Sequence, residues 1–313
     1  MTAHRRALFW LCLFLPVWGS TFALMDGGLE RLRPHLPPGA HDRVAPVFFL
    51  FLRFLPTLPL LPLVFPGILR KIDRRSIRHG FLLSLPWYSG FLLQLFGIQD
   101  STPTIAAFLS GLFVMFVPFG QWIGGNRRPT AGTALGVAFA VLGMAVMTDP
   151  FGGGFGSGET FAAVSAVCFA VHILWTDRFS RESSAETLTA GLMFWGTVYS
   201  GLLTAALPGG AAAFRPETLR GIATDLPLLG ILGWLASVAS VGALFVVNRF
   251  QREIDPARAA LLYTLEPAIA AVFSWLGRGE PMTLPKIAGG GIILAGNVLA
   301  ETQSTQSRAE GAE

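Results

Sequence analysis

Glu266 is the first residue of this sequence that could carry chemistry, because it lies in the middle of an apolar segment. It follows Tyr263 by three residues and stands directly before Pro267. Residues three apart share a helix face, so Glu266 and Tyr263 are expected to point the same way, and the proline favours a kink beside them. A carboxyl group there could bind protons or contact a substrate. Alternatively, it holds its helix in place by bonding a neighbour's backbone.

Arg53 is similarly central in another apolar segment. A guanidinium matches a carboxylate with two parallel hydrogen bonds, so Arg53 could bind an anionic substrate group. A structural ion pair, with Glu266 as one conceivable partner, is the alternative. An ionisable side chain at the centre of a membrane helix costs about 2.5–3.5 kcal/mol on insertion scales, so both residues are functional candidates.

Further candidates are aromatic or polar residues at helical spacing. His172 could exchange protons near neutral pH, although a lone histidine is more often a hydrogen-bonded interior residue. Faces such as Trp87–Phe91–Gln94 suit a mostly apolar cavity with a few polar groups, and they suit an ordinary helix–helix seam equally well. The candidate substrate-binding or pore residues are Trp18, Arg53, Trp87, Gln94, His172, Trp175, Tyr263 and Glu266.

The composition decides what kind of protein positions these residues. Apolar residues make up 52% of the 313 residues, and charged residues only 13%. Soluble domains carry about 25% charged residues, so a soluble body of this size could not cover its surface. Apolar runs recur along the whole chain. The sequence therefore predicts an all-α integral membrane protein.

Several function classes are excluded at this point. The net charge of +4 comes from short basic clusters between apolar runs, which is the pattern that sets membrane topology and not a nucleic-acid surface. No P-loop, HExxH pair or Cys/His cluster is present. We therefore expect no cofactor, no metal and no nucleic-acid partner; the expected partners are a small-molecule substrate and the lipid bilayer.

Ten segments are long and apolar enough to span a bilayer, which takes about 20 residues. The segments are Ala7–Met25, Ala45–Phe65, Gly80–Ile98, Pro103–Ile123, Ala131–Thr148, Glu159–Asp177, Thr187–Leu207, Leu226–Val247, Ala257–Leu276 and Leu284–Ala300.

Orientation follows from the basic residues in the connections. With the N-terminus in the cytoplasm, 14 Lys and Arg residues fall in inside loops and 6 in outside loops. Because cytoplasmic loops carry the excess of positive charge, both termini are predicted to be cytoplasmic, in a cell (plasma or inner) membrane.

An internal repeat divides the chain into two halves. With an offset of 153 residues, Pro103–Met147 matches Pro256–Ala300 at ten positions without gaps, including Trp122/Trp275, Gly136/Gly289 and Gly143/Gly296. Each half then holds five helices. Five is odd, so the second half enters the membrane the other way up, an arrangement typical of secondary transporters. The predicted units are 1–148, the Gly-rich linker 149–158, 159–300 and a cytoplasmic tail 301–313.

The glycines of the fifth and tenth segments suit close helix approach. They could serve packing within the bundle or form the seam of a homodimer.

The sequence also resembles a known family, the EamA branch of the drug/metabolite transporter superfamily. The residues that carry the resemblance are Trp18–Phe22, Arg53–Phe54, Pro256 with Ala259–Ala260, Glu266–Pro267, Gly279–Pro281 with Thr283, and Gly289 with Gly296. One departure is Arg127, which stands where the pattern expects Glu.

The resemblance implies ten helices in two five-helix repeats and export of small metabolites or amino acids. We therefore expect a secondary transporter that works by alternating access, with proton coupling through Glu266 as one option, and not an enzyme. An integral-membrane enzyme and a non-transporting receptor or scaffold are the alternatives.

Overall fold

The computed structural model describes residues 3–124, 129–148 and 156–310, and these residues form helices and connecting turns without a strand. Arg127, Arg128 and the linker residues 149–155 lie outside the described residues. The predicted all-α class is therefore confirmed for the described chain.

The described part of the first half contains eight α-helices and the short 3-10 helix Arg33–His35. The α-helices are α1 (Ala3–Leu32), α2 (Val44–Phe54), α3 (Thr57–Val64), α4 (Ile68–Lys71), α5 (Arg74–Asp100), α6 (Pro103–Gly111), α7 (Phe113–Ile123) and α8 (Ala131–Thr148).

The second half also contains eight α-helices, one pair of which is joined by a π-helical segment. They are α9 (Ser157–Phe179), α10 (Ala185–Ala206), α11 (Pro216–Thr224), α12 (Leu226–Trp234), α13 (Ala243–Phe250), α14 (Pro256–Tyr263), α15 (Leu265–Arg278) and α16 (Leu284–Glu310). The π-helical segment Leu235–Gly242 joins α12 to α13.

Seven described spans are long and apolar enough to cross a membrane, each formed by one helix or by consecutive helices. Two further apolar helices, Ala131–Val146 and Leu284–Gly296, are shorter. The helix α10 has 22 residues and coincides with the seventh segment predicted from the sequence. The structure thus establishes a multi-pass helical bundle, and α16 continues past the predicted end at Ala300.

Two equivalent spans are broken in the middle. The helices α6 and α7 meet at Leu112, and α14 and α15 meet at Thr264. In both spans the first helical residue is a proline that follows a capping residue. The side chain of Thr102 accepts the N–H of Ile105, and that of Asp255 accepts the N–H of Ala257. Proline suits the first helical turn, where its missing N–H costs nothing. The predicted repeat is therefore visible in where these helices begin and break.

The last helices of the two halves, α8 and α16, pack along each other. A Cβ atom on Gly143 would lie 2.6 Å from the carbonyl oxygen of Gly289, and one on Gly296 would lie 2.5 Å from Cβ of Phe139. Only glycine allows backbones this close. These glycines therefore serve packing within the bundle.

Ion pairs tie α1 to its neighbours near both of its ends. Arg278 of α15 bonds Asp26 at 2.8 Å and Glu30 at 2.7 Å. Near the other end of α1, Arg6 bonds Glu253 at 3.0 Å, and Arg249 of α13 shares that carboxylate.

Candidate functional site

A cavity of about 80 Å³ lies inside the bundle and is formed by both halves. A buried water needs roughly 10–15 Å³ on this measure, so the cavity has room for several waters or one small molecule. Its lining comes from α1, α5, α6 and α7 of the first half and from α9, α13, α14, α15 and the turn after α13 in the second.

Six of the eight residues proposed from the sequence line this cavity: Trp18, Trp87, Gln94, His172, Tyr263 and Glu266. They come from five different helices, so the fold brings together residues far apart in sequence. The other two, Arg53 and Trp175, are not among the lining residues. Trp175 packs against Phe179 on its own helix, with ring centroids 5.9 Å apart.

Glu266 is partly buried and is the only carboxylate among the described residues that line the cavity. Within the described chain it has no hydrogen bond or ion pair, so the predicted alternative of an Arg53–Glu266 pair is not present. The residue lies in the first turn of α15, where a helix end carries partial positive charge that favours an anion. The break at Thr264 creates that helix end in mid-span.

Aromatic rings form much of the wall beside Glu266. Trp18 packs edge-to-face on Tyr263 with centroids 5.5 Å apart, and Phe113 packs on the same tyrosine at 6.4 Å. The hydroxyl of Tyr263 donates a 3.2 Å hydrogen bond to Oε1 of Gln251. The tyrosine is thereby held in place at the cavity wall.

A second part of the wall is formed by α5. Trp87 and Phe91 pack together at 5.1 Å, and Gln94 donates to Ser110 Oγ at 3.1 Å. The indole Nε1 of Trp87 and Nδ1 of His172 are buried without a hydrogen-bond partner in the described chain. Of these two residues, His172 also interacts with the backbone of Leu83, whereas the indole N–H of Trp87 has no described acceptor.

Arg53 is buried behind this wall. Its Nε donates to Ser240 Oγ at 3.1 Å, its Nη1 lies 3.3 Å from the sulfur of Met25, and its guanidinium lies 4.9 Å from the ring centroid of Phe91. Ser240 belongs to the π-helical segment. Among the described residues no carboxylate pairs with Arg53, so the cation is held by a hydroxyl, a thioether and aromatic faces.

Sequence reasoning missed Gln251 as a lining residue. It follows the eighth predicted segment and stands between Arg249 and Arg252, which suggests a membrane surface. The structure buries it completely, and its Nε2 donates to the carbonyl of Ile173 at 2.9 Å. Ser110, Phe169, Leu244 and Val247 also line the cavity, and nothing in their types distinguished them from other bundle residues.

The acidic residue in the loop after α15 forms hydrogen bonds with two other helices. Gly279 ends α15 with φ of 68°, a conformation that favours glycine. The next residue, Glu280, accepts hydrogen bonds from Thr104 at 2.6 Å and from Lys286 at 3.0 Å. It therefore ties α6 to α16. Its first-half counterpart Arg127 is outside the described residues.

The fold and the cavity together define a multi-pass helical membrane protein built from two repeats around a small internal site. The sequence model of the EamA-like transporter family matches residues 5–149 and 156–302. Because these matches cover nearly the whole chain, the chain belongs to the EamA-like transporter family.

Individual relatives agree with this assignment. Two proteins of Archaeoglobus fulgidus, each described as an uncharacterized transporter, are similar to the chain. The first is 24% identical over 285 residues, which is 91% of this chain and 82% of the relative. The second is 23% identical over 199 residues, which is 64% of this chain and 67% of the relative.

One solved crystal structure has a TM-score of 0.70 at 17% identity, covering 97% of this chain and 99% of the other. That likeness establishes the fold alone.

Proposed function

We propose that this membrane transporter is a secondary carrier that exports a small metabolite or amino acid by alternating access. The observation that carries the proposal is the cavity, which draws its lining from both repeats and holds one partly buried carboxylate without a partner in the described chain. Sites between two repeats, near broken helices, are characteristic of secondary transporters. The proposal includes ten membrane crossings, two inverted repeats and cytoplasmic termini in a plasma or inner membrane.

The contacts near the ends of α1 support alternating access. Arg278–Asp26 and Arg6–Glu253 connect the two halves near opposite ends of that helix. Exposed ion pairs contribute only about 0–1 kcal/mol each, so such contacts can break and re-form at low cost. Opening one set at a time would expose the cavity to each side in turn.

Within this mechanism Glu266 takes the role of the coupling group. A carboxyl group at the cavity can carry a proton when the site faces one side and release it at the other. Substrate leaving the cell would then be exchanged for entering protons. Arg53 supports the Phe91 wall from behind and does not contact the substrate.

The functional test is a metabolite-resolved export screen in cells that overproduce the chain, followed by flux in proteoliposomes for each compound found. We expect export of a small solute that depends on an imposed pH gradient. A purified, correctly inserted chain that moves none of the exported compounds would contradict the carrier proposal.

The orientation is tested separately with Ser157→Cys, a position next to the linker. We expect labelling of this cysteine from outside the cell. Labelling only from the cytoplasmic side would reverse the proposed topology.

A further inference from the structure

The cavity has an uneven distribution of charge and aromatic surface that restricts what it can hold. Glu266 is the only acidic residue among the described lining residues, which include six aromatic residues: Trp18, Trp87, Phe91, Phe113, Phe169 and Tyr263. A carboxyl group shielded from water either binds a proton or is paired with a positive group. The described chain supplies none, because Arg53 is bonded to Ser240 and packed on Phe91.

The surroundings of Glu266 fit a cationic group. Tyr263, Trp18 and Phe113 are packed together beside it, and the faces of aromatic rings attract cations. The hydroxyl of Tyr263 is already donated to Gln251. An ammonium group can donate hydrogen bonds to the carboxylate while its alkyl stem contacts the rings.

The part of the wall formed by α5 suits a different chemical group from the cationic one that suits Glu266. Trp87 offers a buried indole N–H that no described residue accepts, and Phe91 offers an apolar ring backed by the Arg53 cation. A second positive charge would be repelled there. A neutral apolar body, with at most a hydrogen-bond acceptor for Trp87, would be accommodated.

We infer that the substrate is a small organic amine, protonated at one end and apolar at the other, with its ammonium group at Glu266. This inference rests on the proposed transport function and names its substrate class. The cavity volume of about 80 Å³ limits the amine to a compact one. Protons and amine cations then compete for one carboxylate, which gives exchange of one for the other without a further coupling site.

The test uses four compounds that share a phenyl ring and differ in charge: benzylamine as a cation, benzyl alcohol as a neutral compound, benzoate as an anion and phenylalanine as a zwitterion. Binding to the purified full-length chain in detergent is measured by equilibrium dialysis with labelled compounds. We expect benzylamine to bind at least about tenfold more tightly than the other three, as expected for a desolvated charge contact. Equal or tighter binding of any other compound would overturn the inference.

Variants sharpen the same measurement. Glu266→Gln should lose the preference for benzylamine over benzyl alcohol, whereas Glu217→Gln, an exposed acid on α11, should keep it. Retained amine preference in folded Glu266→Gln would also overturn the inference. If that variant does not fold, the ranking of the four compounds on the unaltered chain still decides the question.

The binding assay is independent of transport. Amine binding without flux in proteoliposomes would leave the substrate class standing and remove the carrier proposal. Export of a non-amine, with no amine binding, would do the reverse.

Discussion

Equivalent positions of the two repeats carry the same residues at the seam between α8 and α16, but different residues in the wall of the cavity. At the seam, positions related by the 153-residue offset are identical: Gly136 matches Gly289, and Gly143 matches Gly296. In the cavity, the related lining residues differ: Phe91/Leu244, Gln94/Val247, Ser110/Tyr263 and Phe113/Glu266.

The difference separates architecture from chemistry. At the seam each glycine meets the equivalent helix of the other half, so both copies face the same steric demand. At the cavity the same backbone positions present a phenyl ring in one half and a carboxylate in the other. Symmetric helices therefore build an asymmetric cavity, in which the carboxylate comes from the second half and four of the six aromatic residues come from the first.

The largest expected effect comes from removing the carboxylate that makes the cavity asymmetric. Glu266→Gln should reduce pH-gradient-driven flux in proteoliposomes to background, because no other lining residue in the described part of the chain supplies a carboxylate. Glu217→Gln, which removes an exposed acid on α11, should retain flux. Since Glu266 has no ion pair in the described chain, the melting temperature of Glu266→Gln should not fall.

That prediction fails if Glu266→Gln accumulates substrate normally. A large loss of stability in the variant would point instead to a structural contact of the carboxylate.

The seam predicts matched losses in the two halves. Gly143→Ala and Gly296→Ala each place a Cβ atom within 2.6 Å of the opposite helix, so each should lower the free energy of unfolding by about 1–3 kcal/mol through overpacking. Gly291→Ala is the control, because nothing lies within 4 Å of its Cβ position. Denaturant titration in detergent measures all three. Unequal losses of unfolding free energy in Gly143→Ala and Gly296→Ala would show that the two glycines do not meet the same steric demand.

Substitution of Arg53 tests whether its guanidinium stabilises the part of the cavity wall formed by α5. Arg53→Lys cannot keep both the Nε–Ser240 hydrogen bond and the flat contact with Phe91, so we expect a loss of about 1–3 kcal/mol in stability. The ranking of amine over carboxylate ligands should remain. In a double-mutant cycle, Ser240→Ala should add little to Arg53→Lys. A selective loss of carboxylate binding would restore substrate recognition to Arg53.

The smallest expected effect concerns Asp225, which caps α12 as Asp73 caps the equivalent helix α5. The backbone N–H of Leu228, followed by the ring of His35, holds the pKa of Asp225 below its usual value. A lowered pKa in the folded state contributes stability above the unfolded pKa near 4, and this stability is lost as the pH falls through the folded pKa. Asp225→Asn should therefore melt a few degrees earlier at pH 7.

At low pH the difference between Asp225→Asn and the parent chain should vanish, and Asp42→Asn, at an exposed position, should show none at either pH. A difference that persists in acid would assign the effect to packing and not to charge.

Much of the bundle could be read from the sequence, and the reasons differ by element. Long apolar runs with few charges predicted each span, and the matched prolines and glycines predicted the repeat. The breaks at Leu112 and Thr264 were only hinted at by Pro267, because a break depends on what neighbouring helices allow. The ends of α1 and α16 were placed too early, since polar turns can continue a helix beyond its apolar run.

The site residues likewise fall into those that the sequence predicted and those that it could not. Glu266 and Tyr263 stood out because polar groups are costly in an apolar segment, and the structure places both at the cavity. Arg53 stood out for the same reason, yet Phe91 separates it from the cavity, and that depends on packing between helices. Gln251 could not be recognised, because its burial arises from contacts with Ile173 and Tyr263 on other helices.

The burial of Arg53 has a consequence for how the chain is made. Its hydrogen-bond partner Ser240 lies 187 residues later in the chain, so it emerges from the ribosome long after α2 has been delivered to the membrane. Until then the guanidinium has only first-half partners, Met25 and the rings of Phe54 and Phe91. An arginine at the centre of a membrane helix costs about 2.5–3.5 kcal/mol on insertion scales, so synthesis of the second half completes the set of contacts that offsets this cost in α2.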